Sequence, residues 1–373
     1  MSTVNAKALV EVENFQAVID VLRARGYQPV GPVFRGGGIV YDMLTSVRDL
    51  PIGLTDRQEA GRYRIETRTD KALFGYNLGQ HSWKQFLHPP RARVLHLIKA
   101  EGRYQTLADP EAIPRWAFIG VRPCDLHAIA IHDRVLRQVE HIDPVYPSRR
   151  EAAFVVAVNC TQAGGTCFCA SMGSGPQVSS GFDLALTEVL TADRHFFLVE
   201  IGTDRGADVL RDIACREAST DEAQAGEQRI AQATAKMGRS LDTANLQELL
   251  YQRTEHPHWE QVAERCLACG NCTLVCPTCF CTTVTDTTDL TGDRAERWLT
   301  WDSCFSLEFS YIHGGPLRTS AKARYRQWLT HKFATWIEQF GTLGCVGCGR
   351  CITWCPAGID VTEGIRLLRE EEE

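Results

Sequence analysis

The chain has 373 residues, 44% apolar and 23% charged, with a net charge of −6; this is the composition of a globular protein of two or three domains, not of a disordered one. The negative charge removes the basic footprint by which non-specific nucleic-acid binders hold phosphate, and no run of about 18 apolar residues is present to span a membrane. Sixteen cysteines exceed what packing uses, so they bind something or do chemistry.

The N-terminus, Met1-Ser2-Thr3-Val4-Asn5-Ala6-Lys7, lacks a basic stretch followed by an apolar segment. The expected location is therefore cytoplasmic, where thiols stay reduced. Phe15, Val18, Ile19 and Leu22 recur at helical spacing and Gly26 follows, which predicts an amphipathic helix over about 12–25 with a glycine stop. Gly36-Gly37-Gly38 precede the apolar Ile39-Val40-Tyr41 and predict a strand-edge turn, since a phosphate loop needs a helix after its glycines. From about residue 115 strands and helices alternate: a strand at 116–119, a helix at 126–136, and strands at 153–158, 182–190 and 195–201. An α+β or α/β domain over 1–205 is expected. Residues 206–255 are polar and helical in pattern, with Asp242 as an N-cap ahead of Leu246, Leu249 and Leu250, and read as a helical linker.

The cysteine-rich part, placed in a domain over 256–373, carries one motif twice: Cys266, Cys269, Cys272 and Cys276-Pro277, then Cys345, Cys348, Cys351 and Cys355-Pro356. Three cysteines at i, i+3 and i+6 wrap one face of a [4Fe–4S] cubane, and the fourth ligates the other cluster, which is why the motif comes in pairs. Two [4Fe–4S] clusters follow. Cys266, Cys269, Cys272 and Cys355 are assigned to cluster 1, and Cys345, Cys348, Cys351 and Cys276 to cluster 2. Gly270 and Gly349 are expected to let backbone N–H groups approach the cluster sulfurs. Paired Cys₄ zinc sites are the alternative, but zinc motifs normally set their pairs about a dozen residues apart and need no proline. Between the copies, Ser320 to Phe340 reads as a long helix whose apolar face is core. The module is therefore expected to be an α-helical ferredoxin domain, like the iron–sulfur subunits of succinate dehydrogenase and heterodisulfide reductase. The basic stretch Arg318, Lys322, Arg324, Arg326 and Lys332 predicts a solvated helix face, with a docking surface for an acidic redox partner as the functional alternative. The terminal Glu370-Glu371-Glu372-Glu373 reads as a solvated end.

Cys124 and Cys160 follow predicted strands, and Cys167 and Cys169 lie in a glycine-rich loop just beyond. If the two strands are parallel neighbours, the thiols share the carboxyl edge of the sheet, where α/β folds place ligands. A third [4Fe–4S] cluster on these four is the preferred assignment, buried thiols the bland one. Cys279, Cys281 and Cys304 read either as ligands of a further centre or as packing beside the others, and Cys215 as a lone thiol. No Ser/His/Asp order, HExxH or Walker motif is present, and His127 and His132 do not share a helical face. No catalytic residues are expected.

The segments Gly120-Val121-Arg122-Pro123-Cys124-Asp125-Leu126, Gly165-Thr166-Cys167-Phe168-Cys169, Cys276-Pro277-Thr278-Cys279-Phe280-Cys281 and Gly344-Cys345-Val346-Gly347-Cys348-Gly349-Arg350-Cys351 carry a resemblance that covers almost the whole chain. It resembles the β (iron–sulfur) subunit of soluble NAD(P)-linked [NiFe] hydrogenases, the sulfhydrogenases, and is similar to the iron–sulfur subunit of anaerobic sulfite reductase. The resemblance implies a non-catalytic electron-transfer subunit of a hetero-oligomer. It would relay electrons between a flavin- and NAD(P)-binding partner subunit and a [NiFe] hydrogenase module, or alternatively a sulfite reductase subunit. A flavin-binding oxidoreductase subunit and a zinc-stapled interaction protein are the competing classes.

Overall fold

The computed structural model describes residues 7–77, 79–107, 113–138, 140 and 142–370; residues 1–6 of the N-terminal segment and Glu371–Glu373 of the acidic tail lie outside them. Trp116–Val121 and Phe154–Val158 are apolar along nearly their whole length and buried on both faces, as the middle strands of a covered parallel sheet must be. They form the centre of an eight-stranded sheet. Its strands run, side by side, Arg216–Glu217, Lys7–Glu11, His195–Ile201, Leu184–Leu190, Phe154–Val158, Trp116–Val121, Gln28–Arg35 and Gly38–Met43. The four strands from Leu184–Leu190 to Gln28–Arg35 are parallel, and the outer pairings are antiparallel. The condition set for Cys124 and Cys160 is met: the strands that precede them are parallel neighbours.

Helix Gln16–Ala24 buries Val18, Ile19 and Leu22 against the sheet. Gly26 ends the segment at a φ of +79°, which costs glycine nothing. The glycines at 36–38 turn between two antiparallel strands, as expected. Helix Pro123–Arg137 starts three residues before its apolar pattern does, because Pro123 is favourable in a first turn. Cys124 is therefore on that first turn and not in a loop.

Across the sheet, Glu188 is 2% exposed and accepts hydrogen bonds from the N–H groups of Leu73 and Phe74 at 2.6 and 2.9 Å, while His195 Nε2 lies 2.7 Å away. Glu188→Leu leaves two buried N–H groups without an acceptor. The expected loss is about 2–5 kcal/mol, read as a lower thermal midpoint under anaerobic conditions.

The interval between the two cysteine motifs is not wholly helical. Its Thr-rich segment Thr282–Thr288 pairs with Arg294–Trp301, as β-branched residues flanking a polar turn favour. That hairpin joins Arg91–Ala100 and Arg103–Thr106 in a four-stranded sheet. Residues from both halves of the chain thus share one sheet. The helical part begins where Ser320 caps Ala323 N–H at 3.1 Å, runs through Ala321–Thr330, passes a π-helical turn at His331–Thr335 and ends at Phe340. Tyr325, Trp328, Leu329 and Phe333 form the core of this half with Trp259, Ile365 and Leu368.

Two expectations are corrected here. The basic residues of the long helix do not form a freely solvated face, because several of them are paired within the chain. Lys322 pairs with Glu260 at 3.2 Å, Arg326 with Glu255 at 3.0 Å, and Arg324 donates to Phe305 O at 2.6 Å. Lys332 is buried, on the same helix face as Tyr325, Trp328 and Leu329. Asp242 does not cap helix Leu246–Gln252; Asn245, left-handed at φ 50°, precedes that helix, and Asp242 accepts from Ala244 N–H at 3.0 Å.

Candidate metal centre

The two motifs fold alike. Helix His258–Arg265 stops at Cys266, Ala268 and Gly270 take positive φ, and the short helix Asn271–Leu274 follows. In the second copy Gly347 and Gly349 take positive φ ahead of Arg350–Thr353. Each coil bends back on its first cysteine: Ala268 N–H donates to Cys266 Sγ and Gly347 N–H to Cys345 Sγ, both at 3.4 Å. The donors to sulfur are thus two residues after each first cysteine. Gly270 and Gly349, expected in that role, are needed for space, since a Cβ would lie 2.9 Å from Ser303 Oγ and 2.4 Å from Thr166 O, respectively.

The two short helices pack together and Asn271 donates its side-chain amide to Trp354 O. This exchanges the fourth cysteines. Cys355 joins Cys266, Cys269 and Cys272 around a hollow of about 440 Å³ walled by Phe305, Tyr325 and Trp328. Cys276 joins Cys345, Cys348 and Cys351 around a second hollow of about 360 Å³ beside Phe333. Cys351 and Trp328 line both, so the hollows are neighbours. Among the described residues no three His, Cys, Asp or Glu side chains are grouped to hold a single metal ion; the eight motif cysteines line the two hollows. The residues present fit a cubane at each hollow.

Burial pushes the Cys345 thiol up to about 12 and Cys351 well above its ordinary value, so binding iron there must release protons. Cys276 goes the other way. A hydrogen bond from the Cys279 thiol, and then the Lys332 ammonium, hold it well below the usual thiol range.

The third group gathers at the carboxyl edge of the large sheet. Cys160, Cys167 and Cys169 are electrostatic neighbours, and Cys124 faces Cys169 and Cys348. The loop that carries them is bonded directly to the second motif. Phe168 N–H donates to Gly347 O at 2.8 Å, Ser174 Oγ to Val346 O at 2.6 Å, and Cys167 Sγ lies 3.8 Å from Cys348 O. Buried Arg122 donates to Phe74 O and Tyr76 O at 2.8 and 2.7 Å and faces Cys160.

Cys279 packs against Cys276. Cys281 and Cys304 meet at the base of the hairpin, where Asp302 N–H donates to Cys281 O at 2.9 Å. Around them stand two buried lysines, Lys332 and Lys84, the latter donating to Cys279 O at 2.9 Å. Cys215 is exposed. The lysines, Arg122 and the Arg350–Asp125 ion pair were absent from the expected site residues. Arg122, Asp125 and Arg350 sit inside the quoted motifs, so adjacency to the cysteines was their available signal; for Lys332 it was the helical period, which sets it four and seven residues after the buried Trp328 and Tyr325.

Comparison with known proteins agrees with this geometry. Residues 265–359 match the 4Fe–4S dicluster domain family. The chain is 32% identical over 300 residues to sulfhydrogenase 2 subunit beta of Pyrococcus furiosus, covering 78% of this chain and 82% of that protein. No solved structure matches. No helix among the described residues is long and apolar enough to cross a membrane. With the duplicated motif folded around paired hollows and this likeness over most of its length, the chain belongs to the sulfhydrogenase β-subunit family, the electron-transfer iron–sulfur subunits of hydrogenase-type complexes.

Proposed function

We propose that this chain holds three [4Fe–4S] clusters and relays electrons between a flavin- and NAD(P)-binding partner subunit and a [NiFe] hydrogenase module. The ligands are Cys266, Cys269, Cys272 and Cys355 for cluster 1, Cys345, Cys348, Cys351 and Cys276 for cluster 2, and Cys124, Cys160, Cys167 and Cys169 for cluster 3. When bound, such clusters supply one-electron chemistry; the chain's own part is to hold them in contact order and exclude water. The observation that carries the proposal is the continuity of the three thiol groups: Cys351 and Trp328 line both hollows, and Cys167 lies against the backbone of Cys348. Cluster 1 stands at an open end, for Cys269 is exposed and a cleft of about 980 Å³ opens beside Cys355.

Iron and acid-labile sulfide, measured on anaerobically purified protein, test the ligand sets. The double variant Cys167→Ser/Cys169→Ser is expected to hold about four irons fewer than the parent, since each cubane brings four, with the EPR signals of the dicluster part retained. Unchanged iron in that variant would remove the third cluster from the relay.

A further inference from the structure

The two hollows of the duplicated motif differ in charge. Cys266, Cys269, Cys272 and Cys355 share theirs with Asn271 and otherwise aromatic and aliphatic side chains; among the described residues no charged side chain lines it, and Arg324 acts on Cys266 from beyond the wall. The second hollow has Lys332 in its wall. Lys332 is 3% exposed, and its Nζ lies 3.3 Å from Cys276 Sγ, 3.0 Å from Thr278 Oγ1 and 3.1 Å from Gly344 O. These three contacts are a thiol, a hydroxyl and a carbonyl. The other titratable groups that face it are Cys279, Cys345, Cys281, Cys304, His331 and Lys84. Arg350, 1% exposed, adds a second buried cation beside Cys348. Its Nη2 binds Asp125, whereas Nε and Nη1 have no hydrogen-bond partner among the described residues.

A cation in a water-poor site acts over the separation of a thiolate and its cluster with little screening. Adding an electron makes a cluster more negative, so a fixed ammonium favours the reduced form. Donation of a hydrogen bond to a ligand sulfur acts in the same direction. We infer that Lys332 is a positioning residue for electrons: with Arg350 behind it, it makes the centre at Cys276, Cys345, Cys348 and Cys351 more readily reduced than the one at Cys266, Cys269, Cys272 and Cys355. The inference rests on the cluster assignments proposed above. Lys332 stands three, four and seven residues after Leu329, Trp328 and Tyr325, so it falls on the buried face that those side chains share and is carried into the wall of the second hollow.

An EPR-monitored redox titration of the anaerobically purified full chain, with iron content measured beside it, is the test. Lys332→Met is expected to make the reduction equilibrium of one cluster at least tenfold less favourable, about 59 mV for one electron, and to leave the other in place; Lys332→Arg, which keeps the charge, is expected to move it less. A full iron complement with unmoved midpoints, or an equal shift of both dicluster midpoints, would overturn the inference. Loss of iron in the parent would instead overturn the cluster assignment. Where Lys332→Met does not fold, Cys348→Ser decides: the signal it removes should be the one with the higher midpoint, and removal of the lower one refutes the inference.

Discussion

Arg350→Met is expected to destabilise the protein by about 3–5 kcal/mol, the range for breaking a buried ion pair from one side. Arg350 and Asp125 are both 1% exposed at their side chains and meet at 3.0 Å. One stands on the short helix after the second cysteine triplet and the other on the first turn of Pro123–Arg137. The pair therefore ties the large sheet to the dicluster part at a point where water does not reach. Burial already pushes the Asp125 carboxyl up, and Arg350 is the first group opposing that. Without the guanidinium the carboxylate must take a proton or open the interface. Anaerobic thermal denaturation would show the loss. Adding Asp125→Asn, which removes the stranded charge, is expected to return part of it; a double variant as unstable as the sum of both singles would show that no such pairing energy exists.

Gly349→Ala is expected to lose iron from more than one centre. The residue has a φ of +73°, and a Cβ there would lie 2.4 Å from Thr166 O and 2.5 Å from Thr166 Oγ1. The left-handed conformation costs a non-glycine residue about 1–2 kcal/mol, and the overlap with backbone adds about 1–3 kcal/mol. Thr166 is itself held: its hydroxyl contacts Thr353 Oγ1 at 2.7 Å and donates to Gln58 Oε1 at 2.9 Å. The loop with Cys167 and Cys169 must then move away from Cys348. Reduced iron at both the second and the third centre, with the first retained, is the expected result. Full iron occupancy in this variant would show that the loop and the second motif are independent.

Part of this arrangement was legible from one-dimensional spacing. Continuous apolar runs located the central strands, and the 3.6-residue period located helix Gln16–Ala24 and the capped helix after Ser320, because such patterns report which faces are buried. The hairpin Thr282–Thr288/Arg294–Trp301 escaped notice, since its partner strand, Arg91–Ala100, is far away in the chain. Asp242 failed as a cap for a local reason: Asn245 had already turned the chain.

What the sequence determined by itself is the chemistry: the duplicated cysteine spacing, with proline after each fourth cysteine, specifies [4Fe–4S] binding because ligand reach depends on short stretches of backbone. Only the tertiary structure decided the surroundings of those cysteines. It brought Cys276 and Cys355 into each other's motif, set Cys160, Cys167 and Cys169 beside Cys348, and turned Lys332 toward Cys276 while Lys322 and Arg326 paired with acidic neighbours. Those outcomes depend on which remote elements share a wall, and burial and charge act through distance in space, which residue spacing does not encode.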